Sequence, residues 1–359
     1  MRVTVAKTAG FCYGVKRAVE LAEEALRTKT GPCAMLGPVI HNNTVIDHLK
    51  SLGAMVIQHP EEAGEGSVVI LRSHGEGKAV HDILEKRGVR IVDATCPNVS
   101  RIHKLVRQAQ EEGRRVIIVG APGHPEVQAI AGWCVEPLIF QDGEALWEYF
   151  SQCPEEAQKP LTMVSQTTST QSAWNFCSEN AKKLCTNIKI FDTICNATCA
   201  RQSEAQQLAA QNDAVIVIGG RDSANTKRLY ELCLALCPNT VWIETPEELD
   251  AAGFPNGARV AITAGASTPT AIIKEVRGKM SEEMMEIEES FAELLEKSIK
   301  TLHTGEKVTG VVTAITPTEI YVDLGTKHAG YIPVAELTDD PTAKVEDLVK
   351  VGKEIEVFV

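Results

Sequence analysis

The sequence predicts an α/β protein made of three similar small units in a pseudo-threefold, trefoil-like arrangement around a central site, followed by a C-terminal all-β segment. The first observation is an internal repeat, because Asp93-Ala-Thr-Cys96 recurs 99 residues later as Asp192-Thr-Ile-Cys195. The second is spacing, because the next glycine-rich loop follows Cys12, Cys96 and Cys195 by 25, 24 and 24 residues. The third is the alternation of short Val/Ile runs with helical patterns, which is typical of small, mostly parallel sheets.

Each unit has the same order of elements: a strand, a cysteine, a helix, and then further strands that end in polar loops. In the first unit, residues 3–6 are predicted as a strand and residues 14–26 as a helix with apolar residues at helical spacing. The polar loops all follow the carboxyl ends of predicted strands. In open α/β sheets this edge is where ligands bind.

The predicted boundaries are 1–95, 96–194 and 195–281 for the three α/β units, 282–302 for an acidic helical linker, and 303–359 for the all-β segment. The last segment alternates with period two and is broken by turns, as in a small barrel of the OB-fold kind. It stops on a strand-like run, so we expect a truncated barrel.

The composition is that of a soluble globular protein, with 359 residues, 44% hydrophobic content and 23% charged residues. The N-terminus lacks the apolar run of a signal peptide, and no apolar run approaches the length of a membrane span. We therefore expect a cytoplasmic protein with no membrane partner. In that compartment, eleven cysteines favour metal binding or catalysis over disulfides. Cys233 and Cys237 lie on an apolar helix face and are predicted in the core.

The three repeated cysteines suggest a metal centre. Three thiolates can hold three corners of a [4Fe–4S] cluster and leave one iron open to substrate. The alternatives are zinc, or three cysteines in separate hydrophobic cores. Structural zinc sites usually contain closely spaced cysteine pairs, and only Cys195 and Cys199 approach that spacing. The spacing alone does not choose among these readings.

The strand-end loops carry a second set of candidates. Imidazoles, hydroxyls and an amide near helix N-termini suit a polyanion such as a diphosphate; the residues are His41, His74, His124, Ser223, Asn225, Thr263 and Ser267. Each histidine, taken alone, is explained as well by a loop hydrogen bond. Glu126 beside a hydroxyl such as that of Thr167 can relay protons, or it is an exposed glutamate at a helix start. Four further histidines are predicted at the surface: His48, His59, His81 and His103.

Six motifs together resemble the 4-hydroxy-3-methylbut-2-enyl diphosphate reductase family, which ends the non-mevalonate isoprenoid pathway. They cover about residues 1–280 and read Gly10-Phe-Cys-Tyr-Gly-Val, Gly37-Pro-Val-Ile-His-Asn, Arg72-Ser-His-Gly, Asp93-Ala-Thr-Cys-Pro, Gly123-His-Pro-Glu and Thr193-Ile-Cys-Asn-Ala-Thr. The resemblance implies one [4Fe–4S] cluster on Cys12, Cys96 and Cys195. It also implies a small ferredoxin or flavodoxin as electron donor.

The same resemblance implies roles for the loop residues. The diphosphate ligands would be His41, His74, His124, Ser223, Asn225 and Ser267, and the proton-delivery pair would be Glu126 and Thr167. The reaction removes the allylic hydroxyl as water with two electrons and two protons, giving isopentenyl and dimethylallyl diphosphate. Two departures stand out. Ala224 replaces a frequent serine, and Cys199 is a second thiol near Cys195, although the motif favours Cys195.

Residues 303–359 resemble the beginning of a ribosomal-protein-S1-like RNA-binding repeat. Tyr321, His328 and Tyr331 fall where such OB-folds place base-stacking side chains. Ten Asp and Glu against five Lys in this stretch make it acidic, which is unfavourable for contacts with phosphates. The sequence therefore leaves RNA binding and a purely structural or regulatory role open.

Two other functions compete with the reductase. One is a non-enzymatic, RNA-associated protein on a degenerate α/β scaffold, against which the complete set of cysteines, histidines and Glu126 counts. The other is a zinc-dependent hydrolase of a phosphate ester. Anaerobically purified protein distinguishes them by colour, because thiolate-to-iron charge transfer makes an iron–sulfur protein brown.

Overall fold

The computed structural model describes residues 2–249, 254, 258–280, 305, 307–315, 319–324, 330–337 and 349–358. The chain divides into two compact domains, an N-terminal domain at Met1–Met285 and a C-terminal domain at Glu286–Val359. The predicted linker helix at 282–302 lies outside the described residues. Across the described ranges, no helix is both long and apolar enough to cross a membrane.

Strands and helices alternate along the described part of the N-terminal domain. The strands are β1 (Arg2–Val5), β2 (Cys33–Leu36), β3 (Ala54–Ile57), β4 (Val68–Leu71), β5 (Arg90–Asp93), β6 (Arg115–Val119), β7 (Leu138–Phe140), β8 (Leu161–Ser165), β9 (Ile188–Ile190), β10 (Ala214–Ile218), β11 (Thr240–Ile243) and β12 (Arg259–Ala264). The helices are α1 (Tyr13–Thr28), α2 (Asn43–Ser51), α3 (Lys78–Lys86), α4 (Pro97–Glu111), α5 (Pro125–Ala131), α6 (Gly143–Gln152), α7 (Gln171–Leu184), α8 (Asn196–Gln211), α9 (Ala224–Leu234) and α10 (Thr270–Met280). Short 3-10 turns lie at Pro60–Glu62, Glu156–Gln158 and Pro246–Glu248.

These strands form three parallel four-stranded sheets with the same internal order. The orders are β3-β2-β4-β5, β7-β6-β8-β9 and β11-β10-β12-β1. The prediction of an α/β fold with three similar units is confirmed. The strand that precedes each repeated cysteine is an edge strand in its sheet, so the three cysteines leave their sheets at equivalent places.

The strand β1 was not expected where it lies. The sequence analysis grouped it with residues 1–95, but it pairs with β12 in the third sheet, in the register Arg2 to Arg259 and Val5 to Ile262. The chain start thus supplies the edge strand that β5 and β9 supply in the other two sheets. Backbone pairing across more than 250 residues leaves no local pattern in the sequence, which is why the strand was misplaced.

Both faces of the sheets are covered by helices, as parallel sheets require. In β6, Ile117 and Val119 face the hydrophobic core that contains Trp174 of α7. The alternating residues Val116 and Ile118 face the other core, with α4 and α5. Each fully buried Val or Ile contributes about 1.5–3 kcal/mol relative to exposure. This two-sided burial explains the continuous apolar runs and fixes the carboxyl ends of the strands.

The C-terminal domain contains the antiparallel strands β13 (Lys307–Ile315), β14 (Glu319–Asp323), β15 (Gly330–Pro333) and β16 (Glu354–Phe358). Their order in the sheet is β15-β14-β13-β16, and a 3-10 turn lies at Val334–Glu336. Its core contains Val312, Ile320, Val322 and Val349. The prediction of an all-β segment is confirmed. Tyr321 and Tyr331 are directly paired across β14 and β15, and both are exposed. His328 lies outside the described residues.

Candidate active site

All eleven residues that the resemblance assigns to the site line one cavity of about 110 Å³. That volume is several times the ~10–15 Å³ that one water molecule needs. The lining residues come from all three α/β units: Cys12, His41, His74, Cys96, His124, Glu126, Thr167, Cys195, Ser223, Asn225 and Ser267. Thr263 is not among the lining residues; it lies within β12 and is fully buried.

The three thiols occupy the same structural position. Cys12, Cys96 and Cys195 are the N-cap residues of α1, α4 and α8, and the backbone is extended at Cys12 and Cys195. Proline at the first helical position after Cys96 favours this start, since its missing N–H would be unpaired there anyway. The positive end of each helix dipole stabilises a thiolate at its N-terminus. Three helices therefore stabilise negative charge at the cavity.

One backbone hydrogen bond is repeated at each thiol and ties it to a neighbouring loop. The N–H of Cys12 donates to Ala266 at 3.1 Å, that of Cys96 to Ser73 at 2.9 Å, and that of Cys195 to Thr167 at 3.0 Å, in each case to the carbonyl oxygen. The acceptors follow β12, β4 and β8, the third strand of each sheet in space. The same bond thus positions each cysteine against a loop that lines the cavity.

The first and second α/β units, residues 1–95 and 96–194, meet at a close contact beside Cys96. A Cβ atom on Gly14 would lie only 2.5 Å from Cys96 Sγ, so the sulfur occupies the space that any larger residue would fill. Burial raises the pKa of the Cys96 thiol, while the N–H groups of Asn98 and Val99 lower it. These amides point at the sulfur and favour its ionised form.

The structure distinguishes Cys195 from Cys199. Cys195 lines the cavity, and the side-chain amide of Asn98 donates a hydrogen bond to its sulfur at 3.2 Å. Cys199 lies one turn later in α8 and packs against the hydrophobic core of the second α/β unit. No group of three or more His, Cys, Asp or Glu side chains in the described ranges is arranged to hold a single metal ion. A single zinc ion needs its sulfurs ~2.3 Å from one point.

The three loop histidines form a triangle. The ring centroids of His41 and His74 are 4.6 Å apart, those of His74 and His124 5.6 Å, and those of His41 and His124 6.3 Å. Burial lowers the pKa of all three rings, to about 4 for His124. Neighbouring imidazoles lower the pKa of His74 further. The lowered pKa values favour the neutral form of all three rings, and each neutral ring keeps one N–H donor.

Two of these rings have polar atoms without a partner. Among the described residues, His41 Nε2 and His74 Nδ1 are buried and make no hydrogen bond. The N–H of Glu126 donates to Nδ1 of His124 at 3.1 Å, so the neutral His124 ring carries its proton on Nε2. Buried, unpaired polar atoms are costly, and a bound anion would satisfy them.

The third unit completes this polar wall. Ser223 caps α9 and its Oγ accepts from the Thr226 N–H at 3.3 Å. Asn225 is 6% exposed, and its Nδ2 has no partner among the described residues. Ser267 donates through Oγ to the carbonyl of His41 at 2.9 Å and so joins the first and third units. Ala224 also lines the cavity, at the start of α9.

Glu126 and Thr167 form a buried pair. Glu126 is 2% exposed; its Oε1 accepts from the Thr167 N–H at 2.6 Å and its Oε2 from the Thr167 hydroxyl at 2.7 Å. Burial raises the pKa of the carboxyl, and the two bonds from Thr167 oppose that shift. Both oxygens are oriented by one residue, and the carboxyl holds a proton to higher pH than an exposed glutamate does.

One of the surface predictions is wrong. His103 is 8% exposed, and burial lowers its pKa to about 4. Its ring stacks on Trp133 at 5.6 Å and fills the space beside Gly75, in the loop that carries His74. His59 is exposed as predicted, whereas His48 and His81 are partly buried. The predicted core positions of Cys233 and Cys237 are confirmed.

Sequence reasoning missed several cavity residues, among them Arg201 and Asn98. Arg201 is 3% exposed and donates to the carbonyls of Ala264 and Gly10 at 2.7 and 3.0 Å. Asn98 is exposed toward solvent but lines the cavity. The signal for Asn98 was its position two residues after a repeated cysteine, the position that Gly14 holds after Cys12.

Comparison with known proteins agrees with this geometry. Residues 3–281 match the family model described as LytB protein, and residues 301–359 match the S1 RNA binding domain. Relatives named 4-hydroxy-3-methylbut-2-enyl diphosphate reductase include those of Geobacter sulfurreducens, 42% identical over 79% of this chain and 98% of the relative, and Aquifex aeolicus, 40% identical over 78% and 96%. The Clostridium tetani relative is 36% identical over 98% of this chain but only 54% of its own length. The chain thus spans about half the length of such relatives.

Solved structures show the same fold. A structure of (E)-4-hydroxy-3-methyl-but-2-enyl diphosphate reductase is 40% identical and covers 79% of this chain and all of that chain, with a TM-score of 0.60. A reductase of related name from Plasmodium falciparum is 26% identical and covers 77% of this chain and 87% of that chain, with a TM-score of 0.70. The matched model, the relatives and these structures together show that the chain belongs to the LytB protein family.

Proposed function

We propose that this chain reductively removes the hydroxyl of 4-hydroxy-3-methylbut-2-enyl diphosphate, with one [4Fe–4S] cluster on Cys12, Cys96 and Cys195. The observation that carries the proposal is the composition of one cavity wall: three thiols at three helix N-termini face the same space as a histidine triangle and a buried carboxyl. The relatives that carry this activity in their names support the substrate.

The donor set suits such a cluster. The thiols come from separate helices, the contact at Gly14 leaves room for the Cys96 sulfur and no side chain, and the amides at α4 point at that sulfur. A [4Fe–4S] cluster held by three thiolates supplies one iron without a protein ligand, which can act as Lewis acid and electron conduit for an allylic hydroxyl. The zinc hydrolase is disfavoured, since the relatives are named as reductases.

The polar wall binds the diphosphate in this proposal. The neutral rings of His41, His74 and His124 offer N–H donors, and an entering anion raises their pKa values by favouring the charged form. Ser223, Asn225 and Ser267 supply hydroxyl and amide groups from the opposite unit. Fixing the diphosphate at one end of the cavity orients the reacting hydroxyl toward the thiols.

Glu126 delivers protons in this proposal. Its raised pKa lets the carboxyl hold its proton to higher pH than an exposed glutamate does, and Thr167 carries the proton through its hydroxyl. Two electrons and two protons release the hydroxyl as water and give isopentenyl or dimethylallyl diphosphate. A small ferredoxin or flavodoxin supplies the electrons, and the reaction takes place in the cytoplasm.

The test is an anaerobic assay of iron-reconstituted protein with the diphosphate substrate and a chemical reductant. Formation of both five-carbon diphosphates, dependent on iron and abolished in a Cys96→Ser variant, is the expected result. A protein that holds stoichiometric iron but leaves the substrate unchanged would overturn the proposed activity.

We also propose that the C-terminal domain binds RNA. The proposal rests on the match to the S1 RNA binding domain and on the paired, exposed Tyr321 and Tyr331. Aromatic faces of this kind stack on unpaired bases with about 1–3 kcal/mol per base. Filter binding of single-stranded RNA should weaken at least fivefold in a Tyr321→Ala, Tyr331→Ala double variant. Equal binding by that variant and the parent chain would refute this role.

A further inference from the structure

The residue two places after each repeated cysteine lies at the same structural position in all three units. These residues are Gly14, Asn98 and Ala197, and all three line the cavity. Gly14 lies against the sulfur of Cys96, and Asn98 lies against the sulfur of Cys195, so in both cases the residue meets the cysteine of the next unit along the chain. Of the three, only Asn98 has a side-chain hydrogen-bond donor.

We propose that the Asn98 side chain is a positioning residue that makes the cluster easier to reduce and slower to lose iron, through its hydrogen bond to Cys195. This inference rests on the proposed iron–sulfur function. The Asn98 Nδ2 atom is 3.2 Å from Cys195 Sγ. Hydrogen bonds to the sulfurs are among the main determinants of iron–sulfur reduction potentials.

Asn98 contacts two candidate iron ligands from two units at once. Its backbone N–H at the start of α4 points at Cys96, and its side chain reaches across to Cys195. A substitution at this position removes only the side-chain donor, because helix geometry keeps the backbone N–H in place. The contribution of the amide to the cluster can therefore be separated from that of the helix.

Cys195 has more need of such a donor than the other two thiols. It lines the central cavity and also a second cavity, formed with Asn98, Arg101 and Asp192, whereas Cys12 and Cys96 are absent from that second wall. Asn98 lines both cavities and stands beside the sulfur where they meet. A donor placed there stabilises the extra negative charge that the ligand carries after reduction, and outer hydrogen bonds also hold metal ligands in position.

The experiment compares Asn98→Ala and Asn98→Leu with the parent chain after anaerobic reconstitution. Alanine reproduces the residue that the third unit carries at 197, and leucine keeps the branched shape and the four heavy atoms of the asparagine side chain without the donor. The measured quantities are the iron content, the midpoint potential from a titration followed by electron paramagnetic resonance, and the rate of iron loss to a chelator. The matched control is Asn175→Ala in α7, which removes an exposed asparagine that lines neither cavity.

We expect both Asn98 variants to bind the full complement of iron, with a midpoint potential shifted to more negative values and iron loss at least threefold faster. The control should resemble the parent chain. An unchanged potential and an unchanged rate of loss in both variants would overturn the inference, even if turnover fell. A parent chain that binds no cluster would refute the proposed function instead.

Discussion

Substitution of Gly14 by alanine tests whether the first and second α/β units meet at a metal ligand. Gly14 lies in the first turn of α1, is buried, and faces Cys96. In most helices this change is favourable, since alanine is preferred over glycine by about 0.8–1.0 kcal/mol. Here the added methyl group would be placed 2.5 Å from Cys96 Sγ.

The displacement can be estimated from that distance. Carbon contacts are optimal at about 3.5–4.0 Å, so the sulfur or the helix must move by roughly 1 Å. Metal ligands tolerate errors of only about 0.2 Å. Overpacking in a core costs about 1–3 kcal/mol, which the helix propensity of alanine partly offsets. The apoprotein should therefore stay folded and change Tm by only a few degrees, while cluster binding should be largely lost.

The assay measures iron per chain after anaerobic reconstitution, together with the thermal unfolding of the metal-free protein. Gln206→Ala in α8 is the control, because it places alanine at an exposed helical position. That control should raise Tm slightly and keep its iron. A Gly14→Ala variant with full iron content and parental turnover would refute the reasoning, because it would show that Cys96 does not need its present position.

Three further predictions follow from the site. Cys195→Ser should lose the cluster while Cys199→Ser keeps it, measured by iron content; the reverse result would mean that Cys199 is the ligand. Glu126→Gln should keep the cluster and bind substrate but lose at least 100-fold in turnover, since the amide preserves shape and contact with Thr167 but supplies no acid; near-normal turnover would exclude the proton role. His103 has a folded-state pKa of about 4, so the unfolded chain binds the extra proton between pH ~6.5 and ~4. His103 should contribute at most about 3 kcal/mol to the fall in the free energy of unfolding as pH is lowered through that window, and His103→Phe should remove that share in urea titrations while the shares of His41, His74 and His124 remain. An equal slope in the variant would mean that His103 is not held neutral.

Much of the site could be predicted because its residues repeat. Cys96 and Cys195 share one spacing to the next strand, and the histidines follow strand ends beside glycine. These are local patterns, and the carboxyl edge of a parallel sheet converts them into one cavity. The position of β1 could not be predicted in this way, since its pairing with β12 depends on a contact between the two ends of the N-terminal domain.

His103 shows a second limit of sequence reasoning. It lies on the apolar face of α4 with Val99, Ile102 and Val106, so helical spacing did contain a signal for burial. What makes the site tolerable for an imidazole is the Trp133 ring and the glycine loop that pack on it, and neither is near His103 in the chain. Arg201 was missed for a similar reason, because its acceptors are backbone carbonyls of two distant segments.

The central claim is that sulfurs from three units hold one cluster with an iron open to substrate. Mössbauer spectroscopy of the anaerobically reconstituted chain, with and without the diphosphate substrate, tests it most directly. The account predicts about four iron atoms per chain and one iron site whose signal changes when substrate is added. A spectrum that substrate leaves unaltered, or a chain that takes up a single zinc ion in place of iron, would contradict it.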